Sequence, residues 1–187
     1  YRYISLPAGT QLQGAVLTES AADAKKLRSL MGEKSTILLG KARTAGYGAA
    51  SLELADLPEG WRESGQLFPA VKDVFTVTLL SPALVRDANG QFSLDLAPAL
   101  AARLGIQPGQ VEVVSRSVEV VGGFNRTWGL PLPTVTAIAA GSVFRVKAQV
   151  PEQKLRDLEA SGLGERRAEG FGRVAINLEL PADEIPW

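Results

Sequence analysis

"GLGERRAEGFGRVAINLEL", residues 162–180, has a counterpart in "LLGKARTAGYGAASLEL", residues 38–54. Superposed, the two stretches match Gly164 with Gly40, Arg167 with Arg43, Gly170 with Gly46, Phe171 with Tyr47 and Gly172 with Gly48. After the last glycine, Val174, Ile176 and Leu178 fall on Ala50, Leu52 and Leu54, and each alternation predicts a strand.

The repeat extends upstream. "AGTQLQGAVL" (8–17) and "AGSVFRVKAQ" (140–149) each predict a strand. A helical segment follows in both copies. In "SAADAKKLRSLM" (20–31), Ser20 is placed to cap a helix whose apolar positions are Ala22, Leu27 and Leu30. In "PEQKLRDLEA" (151–160), Pro151 opens a helix with Leu155 and Leu158 on one face. The repeated unit is therefore strand, helix, glycine loop, strand.

More precedes the second copy. "DVFTVTLLSPALV" (73–85) predicts a strand, "LAPALAARLG" (96–105) a short helix closed by Gly105, and "VEVVSRSVEVV" (111–121) another strand. Residues 73–180 thus run β-α-β-β-α-β, the ferredoxin-like pattern. Only eight residues precede Gly9, so the first copy lacks its opening β-α-β half. The expected fold class is α+β, with tandem ferredoxin-like domains and the first N-terminally incomplete. Its expected divisions are 1–54 for the second half of the first domain, 55–72 for a Gly-, Pro- and charge-rich linker, and 73–187 for the second domain.

Composition narrows the chemistry. The chain has 187 residues, no cysteine, no histidine and a formal net charge of zero. Lacking histidine, it excludes a histidine-based ribonuclease and a Ser-His-Asp triad within this chain; lacking both residues, it has no ordinary zinc ligand set. Absence of cysteine excludes disulfides and fits a reducing cytoplasm, the expected location. No apolar run approaches the roughly 18 residues of a membrane span, so no membrane partner is expected. Zero net charge confines any nucleic-acid site to a local concentration of cations.

The glycine loops do not read as nucleotide sites. A dinucleotide fingerprint runs strand, glycines, helix, whereas here the order is helix, glycines, strand. Such glycines allow positive φ and close backbone approach. The arginine in each loop offers a planar fork that suits phosphate. A structural turn with arginine on its own carbonyls remains the alternative.

The pattern "GLGERRAEGFGRV" resembles the C-terminal glycine-rich loop of the RAMP (repeat-associated mysterious protein) superfamily of CRISPR-associated proteins, and "LLGKARTAGYGA" resembles the corresponding loop of a first domain. "LLSPALVRDANGQF", "VGGFNRTWGLPLPTVTAIAAGSVF" and "GLGERRAEGFGRVAINL", in that order, resemble the large RAMP subunit of type III-D effector complexes. The resemblance implies tandem RRM-like domains and a structural, non-catalytic subunit that holds guide RNA (crRNA) near its 5′ tag. It also implies other type III effector subunits as partners in antiviral defence. No cofactor or metal is expected.

On these grounds the expected RNA-binding residues are Gly40, Arg43, Gly46 and Gly48 in the first loop and Gly164, Arg166, Arg167, Gly170 and Gly172 in the second. "VGGFNRTWGLPLPT" (121–134), expected as a loop between strands, adds Phe124, Arg126 and Trp128, residue types that bind single-stranded RNA. The alternative is a hairpin loop whose Trp128 closes the core. Between Arg103 and Lys147 there are five cations against two acids, and Arg145 and Lys147 join the candidates. "RDANGQFSLD" (86–95) predicts a β-turn, yet Asp87 is the carboxylate to consider for metal-dependent RNA cleavage. A metal-dependent RAMP ribonuclease using Asp87 or Asp95, and a pure subunit-assembly module without RNA contact, are the competing functions.

Overall fold

The computed structural model describes residues 6–16, 18, 20–39, 48–55, 62, 70–125 and 127–179. Two compact units divide the chain, Tyr1–Glu63 and Ser64–Trp187. Gly40, Arg43, Gly46 and Arg126 lie outside the described residues, as does most of the 55–72 stretch.

In the first unit, α1 (Ala21–Met31) begins where the sequence places it: the Ser20 hydroxyl oxygen accepts from the Asp23 N–H at 3.2 Å. Gly32, at φ 68°, ends the helix, and its N–H donates to the Arg28 carbonyl at 3.0 Å. A hairpin follows, β1 (Lys34–Leu38) paired antiparallel with β2 (Ala49–Glu53). Leu30, expected on the apolar face of α1, is 76% exposed. The strand expected over 8–17 does not form among its described residues. An alternating pattern becomes a strand only where its N–H and C=O groups meet a partner edge.

The second unit is built on β3 (Val74–Leu79), β4 (Val85–Arg86), β5 (Phe92–Ser93), α2 (Ala97–Leu104), β6 (Val111–Ser115), β7 (Val118–Asn125), β8 (Leu130–Ile138), β9 (Val143–Lys147), α3 (Glu152–Ser161) and β10 (Val174–Ile176). The four-stranded sheet has the order β10-β3-β9-β6, with every neighbour antiparallel. Taken with α2 and α3, this is the β-α-β-β-α-β order and is compatible with a ferredoxin-like fold. Alternation places Phe75, Val77 and Leu79 of β3, Phe144 and Val146 of β9, and Val174 and Ile176 of β10 in one buried cluster. Leu100 and Leu104 of α2 and Leu155 and Leu158 of α3 complete it. Each such side chain contributes about 1.5–3 kcal/mol when removed from water.

α2 ends as its sequence indicates: Gly105 is left-handed at φ 74° and donates to the Ala101 carbonyl. Two strands differ from expectation. The strand expected over 73–85 stops at Leu79, because Ser81 and Pro82 turn the chain and Pro82 has no N–H for a ladder. The apolar run 111–121 is two strands, not one. β6 stays in the sheet and carries a bulge between Val113 and Ser115. The chain then turns at Arg116–Ser117, where the Ser117 N–H donates to the Ser142 hydroxyl at 3.2 Å and β7 leaves to pair with β8.

That pairing also revises the expected 121–134 loop, most of which is a long two-stranded hairpin. Pro131 and Pro133 lie inside β8. A two-stranded ribbon has two open edges, so prolines are tolerated there as they would not be in a central strand.

Candidate nucleic-acid interface

The glycine loop of the second unit begins where α3 stops. Gly162 caps the helix at φ 64°, and its N–H donates to the Leu158 carbonyl at 2.8 Å. The loop then lies along the segment after β3. The Glu165 N–H donates to the Leu84 carbonyl and the Gly172 N–H to the Pro82 carbonyl, each at 2.8 Å. Gly164 (φ 79°) has no space for a β-carbon, because the Leu84 carbonyl oxygen already fills it.

The loop's two arginines have different surroundings. Arg166, itself left-handed at φ 56°, is turned inward. Its Nη2 donates to Glu169 Oε2 at 2.6 Å, its Nη1 to the Gly122 carbonyl at 3.3 Å, and its guanidinium stacks 4.5 Å from the Phe171 ring centre. The hydrogen bond from Arg166, with its charge, holds the Glu169 carboxyl below its ordinary range. Arg167 begins a 3-10 turn (Arg167–Glu169) and is exposed; its Nη1 reaches the Ser161 carbonyl at 3.3 Å.

Phe171, the aromatic between Gly170 and Gly172, packs on a small cluster of Leu84, Val121, Ala137 and Val135 at the base of the β7–β8 hairpin. In this copy the loop aromatic is thus a core anchor. The exposed aromatics sit farther out. Phe124 is 60% and Trp128 73% exposed, with Val120 on the same strand face as Phe124. The Asn125 carboxamide oxygen orders the tip by accepting from the Thr127 and Trp128 N–H groups at 3.0 and 3.1 Å. Trp128 does not close the core.

Arg145 and Lys147 alternate with the buried Phe144 and Val146, so they face away from the helices. Both lie near Glu112 of the neighbouring strand: Lys147 Nζ donates to its Oε1 at 2.6 Å, and Arg145 Nη1 is 3.7 Å from its Oε2. The Lys147 hydrogen bond and charge, with the Arg145 charge, lower the Glu112 carboxyl below its ordinary value. Asp87 closes the β4–β5 turn, its Oδ1 accepting from the Asn89 and Gln91 N–H groups at 2.9 Å each. Asp95 Oδ1 accepts from the Ala97 N–H at 3.0 Å at the start of α2. Among the described residues no group of three acidic side chains is placed to hold a metal ion.

The sequence reading did not single out Gly122 and Gly123 as contact points. A β-carbon on Gly123 would lie 3.0 Å from Leu132 Cδ1 and 3.3 Å from Arg166 Nη2, so the bare backbone eases the close approach of the loop arginine to the hairpin. The available signal was a Gly-Gly pair inside a β-branched strand run, which marks close approach. Arg86 was likewise unremarked. It holds Glu165 of the loop by two bonds, from Nε at 2.5 Å and Nη2 at 3.2 Å, and lies 4.0 Å from the Phe92 ring centre.

No family model matches the sequence, and no curated protein does. Among solved structures, a Cas6 product complex is similar at a TM-score of 0.46 and 12% identity, over 82% of this chain and 70% of that one. No helix among the described residues is long and apolar enough to cross a membrane.

Proposed function

We propose that this protein is a non-catalytic subunit that holds guide RNA in a type III CRISPR interference complex of the cytoplasm, serving antiviral defence. The RAMP resemblance of the two glycine loops motivates the reading. The observation that carries it is the pair Phe124 and Trp128, both well exposed on a hairpin whose base is joined to the loop that presents Arg167. Exposed aromatics offer stacking faces to unpaired bases, and an exposed guanidinium beside a glycine-rich backbone suits a phosphate. In this reading Gly164, Gly170 and Gly172 shape the loop, Arg167 binds phosphate, Phe124 and Trp128 stack, and Arg145 and Lys147 add positive charge on the sheet. Gly40, Arg43, Gly46 and Gly48 serve the first copy in the same way, and Arg126 contributes a further cation to RNA binding. Tandem ferredoxin-like domains are the architecture we attach to it, with crRNA and the other type III effector subunits as partners.

The test is filter binding of two unrelated single-stranded RNAs over a salt series. Similar affinities for both, falling linearly with salt on a log–log plot, are expected. Absence of binding, with the exposed hairpin instead required for assembly with other effector subunits, would make the chain an assembly module. Divalent-dependent cleavage of the RNA would make it a nuclease.

A further inference from the structure

We infer that Arg166 is a positioning residue that ties the aromatic hairpin to the glycine loop, so that Trp128 and Arg167 engage a single RNA strand as one surface. This rests on the RNA-binding reading above. Adjacent arginines divide the work. Arg167 faces solvent, whereas Arg166 is spent on three partners within the protein.

The three contacts use different properties of the guanidinium. Its fork gives Nε and Nη2 to the two oxygens of Glu169, at 2.9 and 2.6 Å. Its remaining nitrogen, Nη1, reaches the Gly122 carbonyl of β7 across 44 residues of chain. Its flat face covers Phe171, whose ring belongs to the cluster that includes Val121 and Ala137 of the hairpin. A lysine has neither the fork nor the face. Two backbone features serve this arrangement. Arg166 holds a left-handed φ, uncommon outside glycine, which is the conformation from which the side chain makes these contacts. Gly123 eases the approach of the guanidinium, since a β-carbon there would stand only 3.3 Å from Nη2. An exposed ion pair three residues apart adds little by itself; the bond to Gly122 is what makes the pair a link between two segments.

A double-mutant cycle on the full chain tests this, with RNA affinity measured over salt and hydrogen exchange measured without RNA. Trp128→Ala alone should weaken binding about 5- to 150-fold, the range of one lost base stack. In an Arg166→Ala background the same change should cost no more than about twofold, within the scatter of independent sites. Arg166→Ala should leave the salt slope at its wild-type value, since Arg166 touches no phosphate. Alanine meets the same left-handed penalty that arginine already bears, so no new backbone strain enters. Amides of β7 and β8 should exchange faster in this variant while those of α2 and α3 keep their protection. Gly123→Ala, which brings a β-carbon to 3.3 Å from Arg166 Nη2, should weaken the coupling in part, and Arg166→Lys should not restore it. Binding by the wild type with an equal Trp128 cost in both backgrounds would overturn this inference and leave the RNA reading standing. So would a salt slope reduced by about one in Arg166→Ala, which would make Arg166 a phosphate ligand. Wild-type protein that binds no RNA would overturn both, and the exchange data would then report only on how the hairpin is held.

Discussion

The carbonyl oxygen of Leu163 occupies the space that a β-carbon on Gly172 would need, and the Leu163 N–H donates to the Gly172 carbonyl at 3.0 Å. The first repeat contains the same relationship nine residues apart. Leu39 donates to the Gly48 carbonyl at 2.8 Å, and its own carbonyl oxygen fills the β-carbon position of Gly48. Both glycines are left-handed, at φ 69° and 81°. The closure of the loop is therefore a backbone device, indifferent to the side chains it carries.

Gly172→Ala should consequently destabilise the protein more than Gly170→Ala. Gly170 also has positive φ, 91°, but open space lies where its β-carbon would go. It should cost about 1–2 kcal/mol, the left-handed penalty alone. Gly172→Ala adds a steric overlap with backbone that cannot relax as a side chain would. Urea denaturation of the two variants measures the difference, and equal midpoints would show that the closure is dispensable.

Arg167→Ala and Trp128→Ala should weaken RNA binding in different ways. Loss of a phosphate contact lowers affinity about equally for different sequences and reduces the log–log salt slope by about one. Loss of a stacking face should cost roughly 1–3 kcal/mol with little change of slope. If Arg167→Ala lowered the melting temperature while RNA affinity of the folded protein stayed unchanged, the bond to Ser161 would be its whole role.

Acid should lower the protein's stability modestly through two exposed carboxylates, whose pairs are screened by solvent. Glu169 and Glu112 are held below the ordinary value of 4.5 by their hydrogen bonds to Arg166 and Lys147. A folded value below the unfolded one contributes stability that is complete above about 4.5 and is lost as pH falls through the lowered values. With no histidine in the chain, no side chain of ordinary pKa titrates between about pH 6 and 8. The melting temperature should therefore be flat across that interval and fall on the acid side. Glu169→Gln and Glu112→Gln should each make the acid-side fall shallower; an inflection near neutrality would contradict the assignment.

Asp87→Asn separates a turn residue from a metal ligand. An asparagine carbonyl oxygen can accept the same Asn89 and Gln91 N–H groups, so stability should stay near wild type. Asp87→Ala should cost about 0.5–1.5 kcal/mol for each lost hydrogen bond. Divalent-dependent RNA cleavage by the wild type that vanished in Asp87→Asn would instead assign this carboxylate to catalysis.

Much of the second unit was legible in the sequence because its signals are local. Gly105 ends α2 by its own φ, and Leu155 and Leu158 face the core by helical period. The alternation around Phe75, Phe144 and Val174 selects one face of the sheet. Helix termination, side-chain period and strand alternation are properties of a few neighbouring residues, so the chain specifies them before it folds. The partners that depend on distant segments were not legible. The run 111–121 is equally β-branched on both sides of Arg116, and only the buried Ser142 and the open edge of β8 decide where the chain leaves the sheet. Arg166 and Arg167 are chemically identical neighbours; the left-handed backbone at Arg166 and the bare backbone at Gly123 turn one inward and leave the other to solvent. Residue type and spacing fixed that a glycine loop with arginines would precede a strand. Which arginine faces solvent was decided by contact with a hairpin 44 residues away in the chain, because long-range packing, not local preference, determines which polar groups stay exposed after folding.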